Sequence, residues 1–259
     1  MSPDTLPLDA WRDAIIDIAR EAGEVIMAVY ATDFAVRGKS DASPVTEADE
    51  RAEAVIVRRL HALTPGIPIV AEEAVAAGHA PAAGRRFWLV DPLDGTREFA
   101  SRNGEFTVNI ALVDDGVPVL GVVLAPAIGR LFAGAAGHGA IAEQAGTRRG
   151  IRCRAVPEAG LTVVASRSHG DAAALDAFLA GRRVASLVNS GSSLKLCLVA
   201  AGEADLYPRL GRTMEWDIAA GHAVLLAAGG RVTTLQGEPL RYGKPGFENP
   251  HFVAEGLPG

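Results

Sequence analysis

The stretch that most limits how this chain can fold is Arg86-Phe-Trp-Leu-Val-Asp-Pro-Leu-Asp-Gly-Thr-Arg-Glu98. Phe87 to Val90 is an unbroken apolar run of the kind that forms a buried strand. It ends in Asp91, three residues before a second carboxylate, Asp94, and a Gly-Thr pair. Pro92 has no N–H and a fixed φ, so the strand is expected to stop there and the backbone to bend between the two acids. The bend lets both carboxylates face one point. Hard oxygen ligands converging on a point suit Mg²⁺, and the N–H groups of Gly95 and Thr96, if they open a helix, suit a phosphate beside it. These residues point to metal-dependent phosphatase chemistry. A plain surface turn of Asp, Pro and Gly is the competing reading.

At 259 residues the chain can bury a substantial core, as one large domain or two smaller ones sharing a cleft. Hydrophobic residues make up 49% and charged ones 22%, which argues against disorder. The net charge of −6, without a dense Lys/Arg stripe, argues against nucleic-acid binding. The densest basic segment, Thr147-Arg-Arg-Gly-Ile-Arg-Cys-Arg154, reads as an exposed connector. No basic start followed by an apolar segment marks a secretory signal, and no apolar run reaches the ~18 residues of a membrane span. Cys153 and Cys197 lack metal-ligand spacing and read as reduced thiols of a cytoplasmic protein, although a pairing stays open.

Along the chain, Trp11, Ile15, Ile18, Ala22, Val25, Ile26 and Val29 recur at helical spacing over 9–30, with Asp9 placed as a cap. A polar loop at 35–45 follows, of the kind that carries function when it borders a cleft, and it is expected to be mobile. Thr46 and Asp49 have capping-box spacing before a helix that ends ahead of Pro65. Capping alone and a catalytic role both fit them. A short strand, 68–71, runs into Glu72-Glu73 and a small-residue loop. If it pairs beside 87–90, Glu72 joins Asp91 at one sheet edge. Phe106, Val108, Ile110 and Leu112 alternate with Thr107, Asn109 and Ala111, the signature of a strand, and a meander continues through 117–124, 131–133 and 140–142. Beyond a boundary near 157, strands and helices alternate. There Asn189-Ser-Gly-Ser-Ser-Leu-Lys195 enters a helix as either an anion-binding loop or an ordinary cap. Asp217, after Met214-Glu-Trp, is either a plain N-cap or a cation ligand at a cleft.

Together, Pro44-Val-Thr-Glu-Ala-Asp49, Glu72-Glu73, Asp91-Pro-Leu-Asp-Gly-Thr96 and Trp216-Asp-Ile-Ala-Ala-Gly221 resemble the inositol monophosphatase superfamily. Within it they are most similar to the CysQ-type 3′(2′),5′-bisphosphate nucleotidases. The similarity spans essentially the whole chain. It implies an α+β, layered αβαβα sandwich of the inositol monophosphatase and fructose-1,6-bisphosphatase type. The metal motifs would sit mainly in 1–157, and the substrate contacts with Asp217 in 158–259. It further implies two or three Mg²⁺ ions, held by Glu72, Asp91, the Leu93 carbonyl, Asp94 and Asp217. Glu72, and Thr96 oriented by Asp49, would position and deprotonate the attacking water. Gly95, Thr96, His169, Ser192, Lys195, Arg209 and Asp217 would contact the substrate, a small nucleotide bisphosphate such as adenosine 3′,5′-bisphosphate. Leu210 stands where inositol monophosphatases carry an acid for inositol hydroxyls, which favours the nucleotide over an inositol or sugar phosphate. A catalytically silent bisphosphate sensor is the non-enzymatic alternative. Lithium sensitivity is implied in the same way. The sequence leaves open a homodimer and peripheral attachment to the inner membrane.

Overall fold

Apolar residues at helical spacing give α1 (Leu8–Tyr30) and α2 (Glu47–Leu63), which lie side by side over one face of a large sheet. The computed structural model describes residues 6–38, 44–79, 81–166 and 172–257. Residues 39–43, the centre of the polar loop, and His169 with its neighbours lie outside the described residues. A two-residue pair, β1 (Arg37–Gly38) and β2 (Pro44–Val45), flanks that loop.

The large sheet contains, in sequence order, β3 (Ile69–Ala71), β4 (Arg86–Asp94), β5 (Thr107–Asp114), β6 (Val117–Ala125), β7 (Arg130–Ala135), β8 (Gly139–Gln144) and β9 (Thr147–Ile151). Short helices α3 (Glu72–Ala76) and α4 (Thr96–Ala100) follow β3 and β4. The second sheet is built from β10 (Leu161–Ser166), β11 (Val184–Ser190), β12 (Leu206–Arg209), β13 (Arg231–Thr234) and β14 (Phe252–Glu255), in the order β11-β10-β12-β14-β13. Its helices are α5 (Ala172–Leu179), α6 (Leu194–Ala200) and α7 (Glu215–Ala227).

The layers follow from which side chains face which way. Trp88, Val90, Ile110 and Val122 pack with Ile15, Ile26, Ile56 and Leu60 of the first helical layer. Their neighbours Leu89, Ala111 and Val123 point the other way, into a core shared with α6, α7 and the inner face of the second sheet. Val163, Leu206 and Val253 on the outer face of that sheet meet Phe178 of α5. The result is the five-layer αβαβα sandwich. Each large side chain fully removed from water in these cores contributes about 1.5–3 kcal/mol. Gly121 lets α7 lie directly on the sheet, because a Cβ there would run into the Ala220 carbonyl. Among the described residues no helix is long and apolar enough to cross a membrane.

Several local expectations change. Pro7, not Asp9, precedes the first turn of α1, and Asp9 pairs instead with Arg12 at 2.6 Å. The β4 strand does not stop at Pro92: Asp91 pairs with Asn109 and Asp94 with Thr107, so three steps along β4 match two along β5. That extra residue is a β-bulge, and Pro92 sits where the ladder needs no donor. The arginine-rich segment is not a free connector, since Thr147–Ile151 forms the edge strand β9, with Arg148 bonded to Glu143. The small-residue segment after Glu72 begins as α3 rather than as a loop. Thr107 and Asn109, the polar members of an alternating strand, are 0% exposed because helices cover both faces of the sheet.

Candidate active site

Parallel pairing of β3 with β4 sets Ala71 opposite Val90, so the next residues stand abreast, Glu72 where β3 gives way to α3 and Asp91 still within β4. Glu53 of α2 fixes the turn that follows, its carboxylate accepting the Glu73 N–H at 2.8 Å and the Ala74 N–H at 2.9 Å. The bulge in β4 then brings Asp94 forward, while Asp91 is 1% exposed and accepts the Leu93 N–H at 3.0 Å. Gly95, at φ 90°, turns the chain into α4, and a Cβ there would crowd Glu98 at 3.3 Å and the Glu105 carbonyl at 3.4 Å.

The capping box at α2 is present and does two things. Asp49 accepts both the Thr46 N–H and the Thr46 hydroxyl at 2.8 Å, and its other oxygen lies 3.3 Å from the Thr96 hydroxyl. The same hydroxyl is 3.4 Å from the Leu93 carbonyl. Asp217 is not the N-cap of α7. It stands three residues into the helix and accepts the Met214 N–H at 2.8 Å, which aims the rest of its carboxylate into the gap between the sheets.

These elements enclose a cleft of about 490 Å³ lined by Glu72, Asp94, Gly95, Thr96, Ser192, Lys195, Tyr207, Arg209 and Asp217. Glu98, Arg97 and Arg212 line it too and were not singled out from the sequence. Arg97 and Glu98 continue the motif that ends at Thr96, so nearness in sequence was their available signal. Arg212 lies three residues beyond Arg209, and its backbone carbonyl accepts from Arg209 at 2.8 Å. Burial raises the Asp94 carboxyl above its ordinary value; Glu72 and Glu98 add to this, against a Ser192 hydroxyl bond and Lys195. Burial also raises Asp217 well above the usual range, with Asp94 and Glu72 adding repulsion.

Ser192 and Lys195 reach the site from the loop before α6. Ser192, at φ 53°, donates to Asp94 at 2.6 Å. Lys195 is 5% exposed; its ammonium donates to the Ser190 carbonyl at 3.4 Å and to that of Ser192, and lies 5.5 Å from the Tyr207 ring centre. Burial lowers it to about 8, partly offset by Asp94.

The donor set suits a hard divalent cation: carboxylate oxygens from three separate segments, mutually repelling and partly withdrawn from water. A cation between them would turn that repulsion into attraction. Among the described residues no three His, Cys, Asp or Glu side chains are already gathered closely enough to hold a metal ion; the acids line an open cleft instead.

A five-layer sandwich with acids from both halves of the chain at one cleft, which lysine and arginine side chains also line, defines a phosphate-handling hydrolase class. The chain belongs to the inositol monophosphatase family, whose model matches residues 8–256. It is 49% identical over 244 residues to the 3′(2′),5′-bisphosphate nucleotidase CysQ of Escherichia coli O157:H7, covering 93% of this chain and 97% of that one. Among solved structures it is similar to CysQ from Bacteroides thetaiotaomicron, at 39% identity and a TM-score of 0.81, over 97% of this chain and 99% of the other. It is also similar to an inositol monophosphatase from Anabaena (Nostoc), at 29% identity and a TM-score of 0.73, over 96% and 90%.

Proposed function

We infer that this enzyme is a 3′(2′),5′-bisphosphate nucleotidase that hydrolyses the 3′-phosphate of adenosine 3′,5′-bisphosphate to AMP and phosphate, in sulfur assimilation and nucleotide housekeeping. The observation that carries the reading is one cleft lined both by acids, Glu72, Asp94 and Asp217, and by cations, Lys195, Arg209 and Arg212. A substrate with two phosphates needs such a division, one phosphate at the acids with their cation and one at the guanidinium groups.

Mg²⁺ is the cation this reading requires, held by Glu72, Asp91, the Leu93 carbonyl, Asp94 and Asp217; when bound it supplies Lewis-acid stabilisation of the phosphate oxygens and acidifies water. The protein's own part is orientation and proton transfer. Thr96, by giving its proton to Asp49, turns its oxygen lone pair toward the cleft as an acceptor for the attacking water. Glu72 takes the proton that the water loses on attack. The N–H groups of Gly95 and Thr96 face the transferred phosphate. Ser192 steadies Asp94, and Lys195 holds the 190–193 loop while adding positive charge beneath the second phosphate. Arg209, with His169 outside the described residues, completes the nucleotide contacts in this reading. Two buried, unbridged thiols support a cytoplasmic location.

The test is phosphate release with Mg²⁺ from adenosine 3′,5′-bisphosphate and inositol 1-phosphate in parallel, with AMP identified as product. A preference of about a hundredfold for the nucleotide, near 2.7 kcal/mol, is expected, and chelator should abolish both rates. Equal rates, or a preference for inositol phosphate, would overturn the substrate assignment.

A further inference from the structure

Two buried polar side chains on β5 belong to none of the motifs that mark the site. Thr107 and Asn109 are 0% exposed, on the face of the sheet that Ala111 and Val113 bury against α6 and α7. Stability alone would be served at 107 by valine, which has the shape of threonine and no hydroxyl to desolvate. The contacts of these two residues show what the polarity is for. Thr107 Oγ1 lies 2.5 Å from Ser192 Oγ and 2.9 Å from Ser193 Oγ. Ser193 donates to Asn109 Oδ1 at 2.7 Å, and Asn109 Nδ2 donates to the Asp217 carbonyl at 3.4 Å. At the other end, Ser192 donates to Asp94.

The groups form one line from the Asp94 carboxylate, in the first half of the chain, to the Asp217 peptide, in the second. The Asn109 amide fixes its polarity, because its NH₂ faces the Asp217 carbonyl and its oxygen must therefore accept from Ser193. Ser193 gives its proton to Asn109 and Ser192 gives its proton to Asp94, so the single Thr107 proton goes to one of the two serine oxygens and the other is held against Thr107 by packing alone. The loop does not need Thr107 for anchorage, since the Gly191 N–H is already tied to Glu105 at 2.8 Å. Ser192 nevertheless holds a left-handed backbone, uncommon for a residue with a Cβ, and that geometry delivers its hydroxyl to both Asp94 and Thr107.

We propose that Thr107 and Asn109 are positioning residues for the reaction: acting through Ser192 and Ser193, they hold Asp94 and Asp217 at a fixed separation across the seam between the two sheets. The kinetic part of this inference rests on the nucleotidase reading; the part concerning cation binding does not.

The experiment uses the full chain carrying Thr107→Val, Thr107→Ser or Ser193→Ala. Mn²⁺ binding to the metal-free protein is measured by calorimetry without substrate. Steady-state rates on adenosine 3′,5′-bisphosphate are measured at saturating Mg²⁺. Thr107→Val should weaken Mn²⁺ and lower kcat each by about 10–100-fold, the range for groups that orient metal ligands, with KM little changed. Thr107→Ser, which keeps the hydroxyl, should regain most of both losses, and Ser193→Ala should fall between. Thr107→Val with wild-type Mn²⁺ affinity and kcat would overturn the proposal, whatever its melting temperature. So would a Thr107→Ser protein as impaired as Thr107→Val, because shape alone would then be at stake. If Thr107→Val does not fold, Ser193→Ala decides by the same readings. If the wild-type enzyme leaves the bisphosphate intact, the nucleotidase reading falls and Mn²⁺ affinity still decides the positioning role.

Discussion

Two acids on one helix, two residues apart, have opposite environments. Glu215 is 0% exposed, yet Lys244 lies 2.6 Å away and the N–H groups of Gly243 and Lys244 donate to its oxygens at 2.7 and 3.0 Å. Asp217 accepts one peptide N–H and is faced by Asp94 and Glu72, whose repulsion outweighs the attraction of Arg209. The protein answers the first charge from within its own chain. At the second it gathers more charge of the same sign, which is sensible only for a site completed by something bound. Near Glu215, His222 meets the Tyr242 hydroxyl at 2.8 Å and closes the structural side of α7.

The strongest way to break this contrast is Asp94→Asn. Removing a charge from the repelling group should lower turnover by ~10,000-fold, about 5.5 kcal/mol in activation free energy. Melting of the metal-free protein should occur at or above the wild-type temperature. A large loss of stability instead would mean that Asp94 is a structural acid like Glu215.

Glu215→Ala should do the reverse. Leaving the Lys244 ammonium and two peptide N–H groups without their buried acid costs about 3 kcal/mol of stability, read from the urea midpoint. Turnover per folded molecule should stay within about threefold, as expected where no reacting group is touched.

The histidine on the same side sharpens the comparison through pH. Burial lowers His222 from 6.5 to about 3. As pH falls below 6.5 the unfolded chain takes up a proton that the folded chain refuses, so stability is lost across that window. The loss should reach roughly 3 kcal/mol between pH 7 and pH 4. Urea titrations at several pH values should show His222→Leu lacking this part of the slope.

The smallest effect belongs to a residue that serves both roles. Thr46→Ala removes a helix cap and one of the bonds that orient Asp49, and should cost about 1 kcal/mol of stability together with a few-fold loss in kcat. A change in stability with no change in rate would place Asp49 wholly on the structural side.

Much of the site was legible because its residues come in short, rigid segments. The apolar run before Asp91, the acids after β3 and the Thr46–Asp49 spacing each carry their geometry in local backbone preference, and all end at the cleft edge or beside it. The same local logic failed at Pro92. Its missing donor signals interruption, but a strand with partners on both sides absorbs it as a bulge, and that bulge is what advances Asp94. Alternation made Thr107 and Asn109 part of a strand and left open what would cover them; both are 0% exposed.

The sequence by itself determined the elements, the inventory of carboxylates and the family pattern, because strand and helix periodicity and motif spacing are properties of neighbouring residues. Only the tertiary structure decided which acids meet, which buried charge is answered by Lys244 and which is left for a ligand, and that both faces of β5 are covered. Those outcomes depend on packing between segments more than a hundred residues apart, such as Asn109 against Asp217, and on the water that such packing excludes.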